Sequence, residues 1–350
     1  MREPLDKWAT WREIHRQPDI WRAWGQTFDV TAVRAWIADQ DFDTVWFCGA
    51  GTSAYIGDII ATQVKGTRSV PTTDIVANPS LVLRGERPLV VSFGRSGNSA
   101  ETLGTLDALD VLAPKAPRLN ITCNKDGALA TRASDAPTKV ILLPDETHDA
   151  GFAMTSSFST MLLTALAVFD EPCDLNERML ALASELERLL PLFQSSNLPA
   201  RAVFVGSGPL AFAARESALK VMELSAGQIA ALWDSSLGFR HGPKSFVDPA
   251  THITIFTSPD APTGRYDHDL AAELRAQFPS VDVQTIGADG DIAIAMPFGP
   301  AWSAPLCVAA AQVRGAMWSQ DLKLDVDNPF DGQGTLSRVV AGVTLYPVTP

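Results

Sequence analysis

The sequence predicts an α/β fold of two tandem doubly wound parallel-sheet α/β/α sandwich domains, preceded by an N-terminal helical segment. Three observations carry this. A grammar of buried strand, glycine-rich turn and helix occurs twice, in "DTVWFCGAGTSAYIGDIIA" and in "ARAVFVGSGPLAFAARESALKVMEL", with Gly49 and Gly206 at matching places. Further strands follow in step: "RPLVVSFGRSG" and "THITIFTSPDAP", then "RLNITCN" and "VDVQTIGA", the last two each followed by an Asp-Gly turn. Finally, these strands are continuous Val/Ile/Leu/Phe runs rather than strict alternations, which suits strands buried on both faces. Strand alternating with helix then implies parallel βαβ units with right-handed crossovers.

Taken in order, residues 1–30 form the N-terminal helical segment. Trp8, Trp11, Trp21, Trp24 and Trp36 recur there and just beyond at near-helical spacing, a face expected to pack on the body or on a second subunit. Residues 31–170 form the first domain and residues 195–345 the second. Between them, "DEPCDLNERMLALASELERLLPLFQSSNLPA" reads as one amphipathic helix ending near Pro199. In open sheets of this kind, ligands are expected at the carboxyl ends of the strands.

At 350 residues the chain is long enough for two such domains, and 46% hydrophobic with 19% charged residues is a globular composition. The net charge of −12 argues against a nucleic-acid or anionic-membrane partner, both of which need a basic surface. A small anion remains possible, because backbone amides and hydroxyls bind one locally. Cys48, Cys123, Cys173 and Cys307 show no metal or C-x-x-C spacing and read as reduced thiols. The start lacks an apolar signal core, and the longest apolar run, "MLLTALAVF", is too short to span a bilayer. A cytoplasmic location is expected.

Two stretches offer a phosphate site. In "CGAGTSA" the chain leaves a strand and enters a helix through Gly51, then presents Thr52 and Ser53. Such a turn points backbone N–H groups from a positive helix end, although a tight turn alone would need the same glycines. In "SFGRSGNSAETL" the residues Arg95, Ser96, Gly97, Asn98 and Ser99 gather before a helix beginning near Ala100. Ser99 would cap that helix, yet capping requires one hydroxyl and not a run of them. The pattern is neither a Walker loop nor a dinucleotide fingerprint, so a sugar phosphate fits better than a nucleotide. The second copy departs: Pro209 stands where the first has Thr52, and "TSPDAPTG" lacks the serine cluster. What it adds is Glu216, Lys220 and Glu223 on one helical stripe, then His241 in "GFRHGPKS". The stripe could be a solvated ion-pair face and the histidine a structural one. Beside a sugar-phosphate nest, a carboxylate and an imidazole are also what an aldose–ketose transformation needs.

The combination "GAGTS", "GRSGNSAET", "LKVMELSAG" and "FRHGPKS" resembles the sugar isomerase (SIS) domain family. It resembles in particular the two-SIS-domain enzymes related to the isomerase half of glucosamine-6-phosphate synthase. Within these it is most similar to the galactosamine-6-phosphate deaminase/isomerase group, also called tagatose-6-phosphate ketose/aldose isomerases, over nearly the whole chain. The resemblance implies phosphate binding by Thr52, Ser53, Arg95, Ser96, Gly97, Asn98 and Ser99. It implies sugar contacts from Gly51, Thr155, Ser156 and Arg338. Glu223 matches the base that shuttles a proton between carbons 1 and 2, with Lys220 close to it. His241 matches the ring-opening histidine, which in relatives reaches the active site of the neighbouring subunit of a homodimer.

One departure shapes the expected activity. Relatives using a fructose phosphate form an imine through a lysine near the C-terminus, where this chain has Arg338, too basic for that role. No amidotransferase domain is expected either, since no Cys follows Met1. The implied activity is therefore deamination with isomerisation of an amino-sugar 6-phosphate, foremost D-galactosamine 6-phosphate, requiring no metal or organic cofactor. The same motifs would serve glucosamine 6-phosphate, plain aldose–ketose isomerisation, or a phosphosugar-binding regulator.

Overall fold

The computed structural model describes residues 4–83, 85–194, 197–334, 336 and 342–349. It contains two five-stranded parallel sheets in two compact units. The first unit comprises Gln26–Asp149, Ser156–Cys173 and Ser337–Pro350; the second comprises Met1–Gly25, Ala150–Thr155 and Asp174–Leu336.

Helix α1 (Ala9–Thr27) is assigned to the second unit up to Gly25. Its Trp21 and Ile14 are fully buried and Trp11 nearly so, as the tryptophan spacing predicts. Asp327 fixes its start, accepting from the amides of Ala9 at 2.9 Å and Thr10 at 2.8 Å. In the first unit, α2 (Val30–Ala38) is capped by Asp29, whose side chain accepts from the Ala32 amide. The chain then runs through β1 (Thr44–Cys48), α3 (Thr52–Ala61), β2 (Thr67–Ser69), α4 (Thr72–Ala77), α5 (Pro79–Val82) and β3 (Pro88–Gly94). It continues with α6 (Ala100–Leu112), β4 (Arg118–Thr122), α7 (Ala128–Thr131), β5 (Thr138–Leu142) and α8 (Ser156–Phe169). The strand order is β2-β1-β3-β4-β5, so the order reverses between β1 and β3. Every residue of β3 and β4 is buried, which explains the apolar run of β3; β4 buries Arg118, Asn120 and Thr122 as well. The "MLLTALAVF" stretch lies in α8, a core helix buried from Ser156 to Val168.

The second unit resumes at α9 (Leu175–Leu189), capped by Asp174. The expected end near Pro199 is too late: the α-helix stops at Leu189 and a 3-10 turn, Leu190–Gln194, follows. Pro191 is the reason, since it lacks the N–H that would continue the ladder. There follow β6 (Arg201–Gly206), α10 (Pro209–Leu224), β7 (Ala230–Ser235), β8 (Thr251–Thr257), α11 (Thr263–Gln277), β9 (Asp282–Gly287), β10 (Ile292–Ala293) and α12 (Pro300–Asp321). The order β10-β9-β8-β6-β7 repeats that of the first sheet element for element. Its core joins Val203, Val205, Ile253 and Ile255 of the sheet to Leu270 and Leu274 of α11. No helix among the described residues is long and apolar enough to cross a membrane.

Candidate active site

In both sheets a glycine turn carries β1 or β6 into the next helix. Gly51 and Gly208 precede α3 and α10 with nearly identical backbones, φ 54, ψ −130 and φ 57, ψ −130, in the left-handed half of dihedral space that glycine tolerates. Gly49 and Gly206 are needed for close approach. A Cβ on Gly49 would lie 2.6 Å from the Ser53 carbonyl carbon, and one on Gly206 would lie 2.5 Å from the Leu210 oxygen.

In the first unit this turn opens a nest. Thr52 and Ser53 sit in the first turn of α3, nearly buried at 4% and 5% exposure. The loop after β3 lies beside them, because β1 and β3 are neighbours with Cys48 in register with Ser92. That loop is held on the far side by the segment after β4. Asn124 donates its side-chain amide to the Ser96 carbonyl at 2.9 Å, and Asn98 accepts from the Ala128 amide at 2.8 Å. Within the loop, the Asn98 amide donates to the Ser96 hydroxyl at 3.3 Å. Ser96 and Asn98 are exposed, Arg95 half-buried and Gly97 buried. Ser99 caps α6 as its sequence context predicts, accepting from the Thr102 amide at 3.2 Å. The result is a run of hydroxyls and amides at the switch point of the sheet, where an open α/β fold binds anions.

Thr155 and Ser156 are fully buried. The Ser156 hydroxyl donates to Asp149 at 2.5 Å, and the same carboxylate takes the amides of Ser156 and Ser157, closing the start of α8. Arg338 lies outside the described residues. Cys123, between the nest and Asp149 in sequence, is buried and its thiol is pushed up to about 12; burial also raises Cys48 and Cys307. The thiols are therefore protonated core groups.

The second unit fills the corresponding nest from within. Asp267 of α11, fully buried, accepts from the Ser207 hydroxyl at 2.6 Å, from the Ser236 hydroxyl, and from the Ser258 amide at 3.0 Å. These donors follow β6, β7 and β8. An internal carboxylate thus takes the position at the strand ends that an anion would take. Sequence reading notices the missing serines here but not Asp267, which arrives from a different element.

On α10 the stripe is no solvated face. Glu216 and Lys220 are fully buried, whereas the Glu223 side chain keeps 17% of its surface exposed. Lys220 lies 3.4 Å from a Glu216 oxygen and donates a short hydrogen bond to Glu223. Of these three, Glu223 is the accessible member. His241 ends a 3-10 turn, Gly238–His241, after β7 and is exposed. Its neighbour Phe239 is fully buried in the core of the unit. The loop therefore has a fixed root and an accessible imidazole.

Comparison with known proteins agrees with this architecture. The family model for the SIS domain matches residues 39–170. A D-galactosamine-6-phosphate deaminase AgaS from Shewanella sp. (strain ANA-3) is 37% identical over 97% of this chain and 92% of its own length. The protein of that name from Escherichia coli is 38% identical over 97% of this chain and 96% of its own. Among solved structures, tagatose-6-phosphate ketose/aldose isomerase from Escherichia coli superposes with a TM-score of 0.87 at 35% identity, covering 99% of both chains.

Proposed function

This chain belongs to the SIS-domain family, and we propose that it is an amino-sugar-6-phosphate deaminase acting on D-galactosamine 6-phosphate to give D-tagatose 6-phosphate and ammonia. The two halves, residues 31–170 and 195–345, act as duplicated SIS modules with separate duties. Ser53, Ser96 and Ser99, with Thr52, Arg95 and the amides of Gly97 and Asn98, hold the phosphate. Gly51, Thr155, Ser156 and Arg338 face the sugar. The observation that carries the reading is Glu223, the one accessible carboxylate of a buried charge cluster.

The reaction runs in four balanced steps. His241 helps to move the proton of the C1 hydroxyl to the ring oxygen, opening the pyranose to an aldehyde that keeps its C2 amine. Glu223 takes the C2 proton while the carbonyl oxygen gains one, leaving an enolamine. Glu223 returns a proton to C1, producing a primary alcohol there and a ketimine at C2. Water adds to C2 and ammonia leaves. Because the substrate brings its own nitrogen, no lysine imine is required, which accords with arginine at position 338. Lys220 holds the Glu223 carboxylate through their hydrogen bond.

His241 acts in the neighbouring subunit of a homodimer, a reading supported by its exposure on a rooted loop. The setting is the cytoplasm. A second reading, ketose–aldose isomerisation without loss of nitrogen, is favoured by the activity named for the isomerase structure at 35% identity. An ammonia-release assay over galactosamine, glucosamine and nitrogen-free hexose 6-phosphates separates the two. Glu223→Gln is expected to bind the same sugar phosphates and to lose turnover roughly a hundredfold or more. Near-normal ammonia release by that variant would remove Glu223 from the mechanism.

A further inference from the structure

The loop that carries His241 is fastened on both sides of the histidine to a single carboxylate. Glu273 of α11 accepts from the Arg240 guanidinium Nε at 2.8 Å through one oxygen and from the Lys244 ammonium, by a shorter contact, through the other. Gln277, one turn further along the helix, approaches the latter oxygen at 3.5 Å. Between the two cations lie only His241, Gly242 and Pro243. Gly242 has φ 135 and open space around it, so that corner has no packing of its own to fix its path. Pro243 begins a second 3-10 turn, Pro243–Phe246, whose Ser245 amide bonds back to the Gly242 carbonyl at 2.9 Å. At the root of the loop Asp267, on the same helix, holds Ser236. Two carboxylates of α11 therefore grip the segment at its root and at its tip.

We propose that Glu273 is a positioning residue for His241: by bridging Arg240 and Lys244 it sets where the imidazole is presented to the sugar. The physical argument is geometric. An exposed side chain on a three-residue corner samples many orientations unless the flanking backbone is fixed, and a displacement of about 1 Å from productive geometry costs on the order of a hundredfold in rate. These side chains keep about a quarter of their surface in water, 22–27%, so the bridge is partly screened and its contribution to global stability is modest. Here its two arms constrain one short corner, so its effect belongs on turnover and not on the fold. The inference rests on the reading of His241 as the ring-opening group.

The test is a double-mutant cycle on ammonia release from galactosamine 6-phosphate, using Glu273→Gln, His241→Ala and both together. Glu273→Gln should lower kcat about tenfold or more with KM and thermal midpoint near wild type, and Arg240→Gln and Lys244→Gln should each reproduce part of that loss. In the His241→Ala background Glu273→Gln should cause no further loss, because the group it positions is gone. Additive losses would show that Glu273 acts through something else and overturn the proposal. Wild-type kcat in Glu273→Gln alongside an impaired His241→Ala would overturn it while leaving the function of His241 standing. Wild-type activity in His241→Ala would instead refute the catalytic reading on which it rests. If Glu273→Gln does not fold, the Arg240 and Lys244 variants carry the same cycle.

Discussion

Replacing Lys220 with methionine isolates the energetics of the buried cluster. The ammonium is fully buried between Glu216, also fully buried, and Glu223, which keeps 17% exposure. Methionine fills similar volume but removes the positive charge, so the Glu216 carboxylate stays buried without it. Removing one partner of a buried pair costs about 3–5 kcal/mol, against about 0–1 for an exposed one. For a unit of this size that corresponds to a drop in thermal midpoint of roughly 6–20 °C. A companion variant, Lys220→Met with Glu216→Gln, takes away the buried carboxylate charge and should recover at least half of the loss. Glu223, with water at hand, needs no such relief. The assay is thermal and urea denaturation followed by circular dichroism, with ammonia release measured in parallel. A loss below about 1 kcal/mol in the single variant would mean that the cluster behaves as a solvated pair. A companion no more stable than the single variant would mean that the buried carboxylate is not what costs the energy.

Three other perturbations separate binding, folding and protonation. Ser96→Ala should raise KM for the sugar phosphate by roughly 10- to 150-fold, the equivalent of one hydrogen bond to a charged oxygen at about 1.5–3 kcal/mol, and an unchanged KM would take Ser96 out of the nest. Ser99→Ala is the less clean probe, because it also removes the cap of α6 at a cost of about 1 kcal/mol in stability. Asp267→Ala should destabilise the second unit by on the order of 3 kcal/mol, since two hydroxyls and an amide lose their acceptor; a urea midpoint equal to wild type would refute this. Finally, burial holds the His252 imidazole below its ordinary value despite its bond to Asp282. Arg314, which can only donate, faces its Nε2 at 3.1 Å, so that nitrogen carries a lone pair and the ring is neutral. Above about pH 6.5 the histidine is neutral folded or unfolded; as pH falls, the unfolded chain takes up the proton first and stability declines. His252→Gln should therefore show a shallower fall in urea midpoint between pH 7.5 and 5.5, and parallel profiles would contradict the assignment.

Several central strands were legible because burial on both faces leaves a signature in composition: β1, β3 and β6 lie in apolar runs. Three of the four edge strands were not. β2 is "TRS", β7 is half-buried "AALWDS" and β10 is two residues long, each with one free side and no pattern to betray it. The serine-rich loop after β3 was readable because its hydroxyls and amides are consecutive in sequence. The spacing of Glu216, Lys220 and Glu223 gave a stripe but not its burial, which depends on the packing of α10 against α12 about a hundred residues later. Asn124, Asp149, Asp267 and Glu273 left no signal at all. Asn124, Asp267 and Glu273 act through contacts with segments far along the chain, and Asp149 through the start of α8 seven residues on; an isolated Asp or Glu on a polar helix looks like any other solvated charge.

The contrast between the two glycine turns bears on why the proposed function needs only one phosphate site. Both units build the same turn at the end of the corresponding strand, yet the second spends its donors on Asp267. A buried carboxylate presents two oxygens and one charge to hydroxyls and an amide that would otherwise need an external anion, so the position is closed to a ligand. Pro209 reinforces this, because it has no N–H to offer where Thr52 has one. Distance along α10 gives an independent reason. Glu223 lies fourteen residues beyond Pro209 on a helix rising about 1.5 Å per residue, hence roughly 20 Å from its own unit's turn. With Glu223 as the proposed base at carbon 2, a hexose phosphate is far too short to keep its phosphate at that turn. A phosphate held by the second unit's turn would be useless to its carboxylate, and filling that turn with Asp267 sacrifices nothing. In the proposed function the phosphate is therefore given to the first unit, with its Ser53, Ser96 and Ser99.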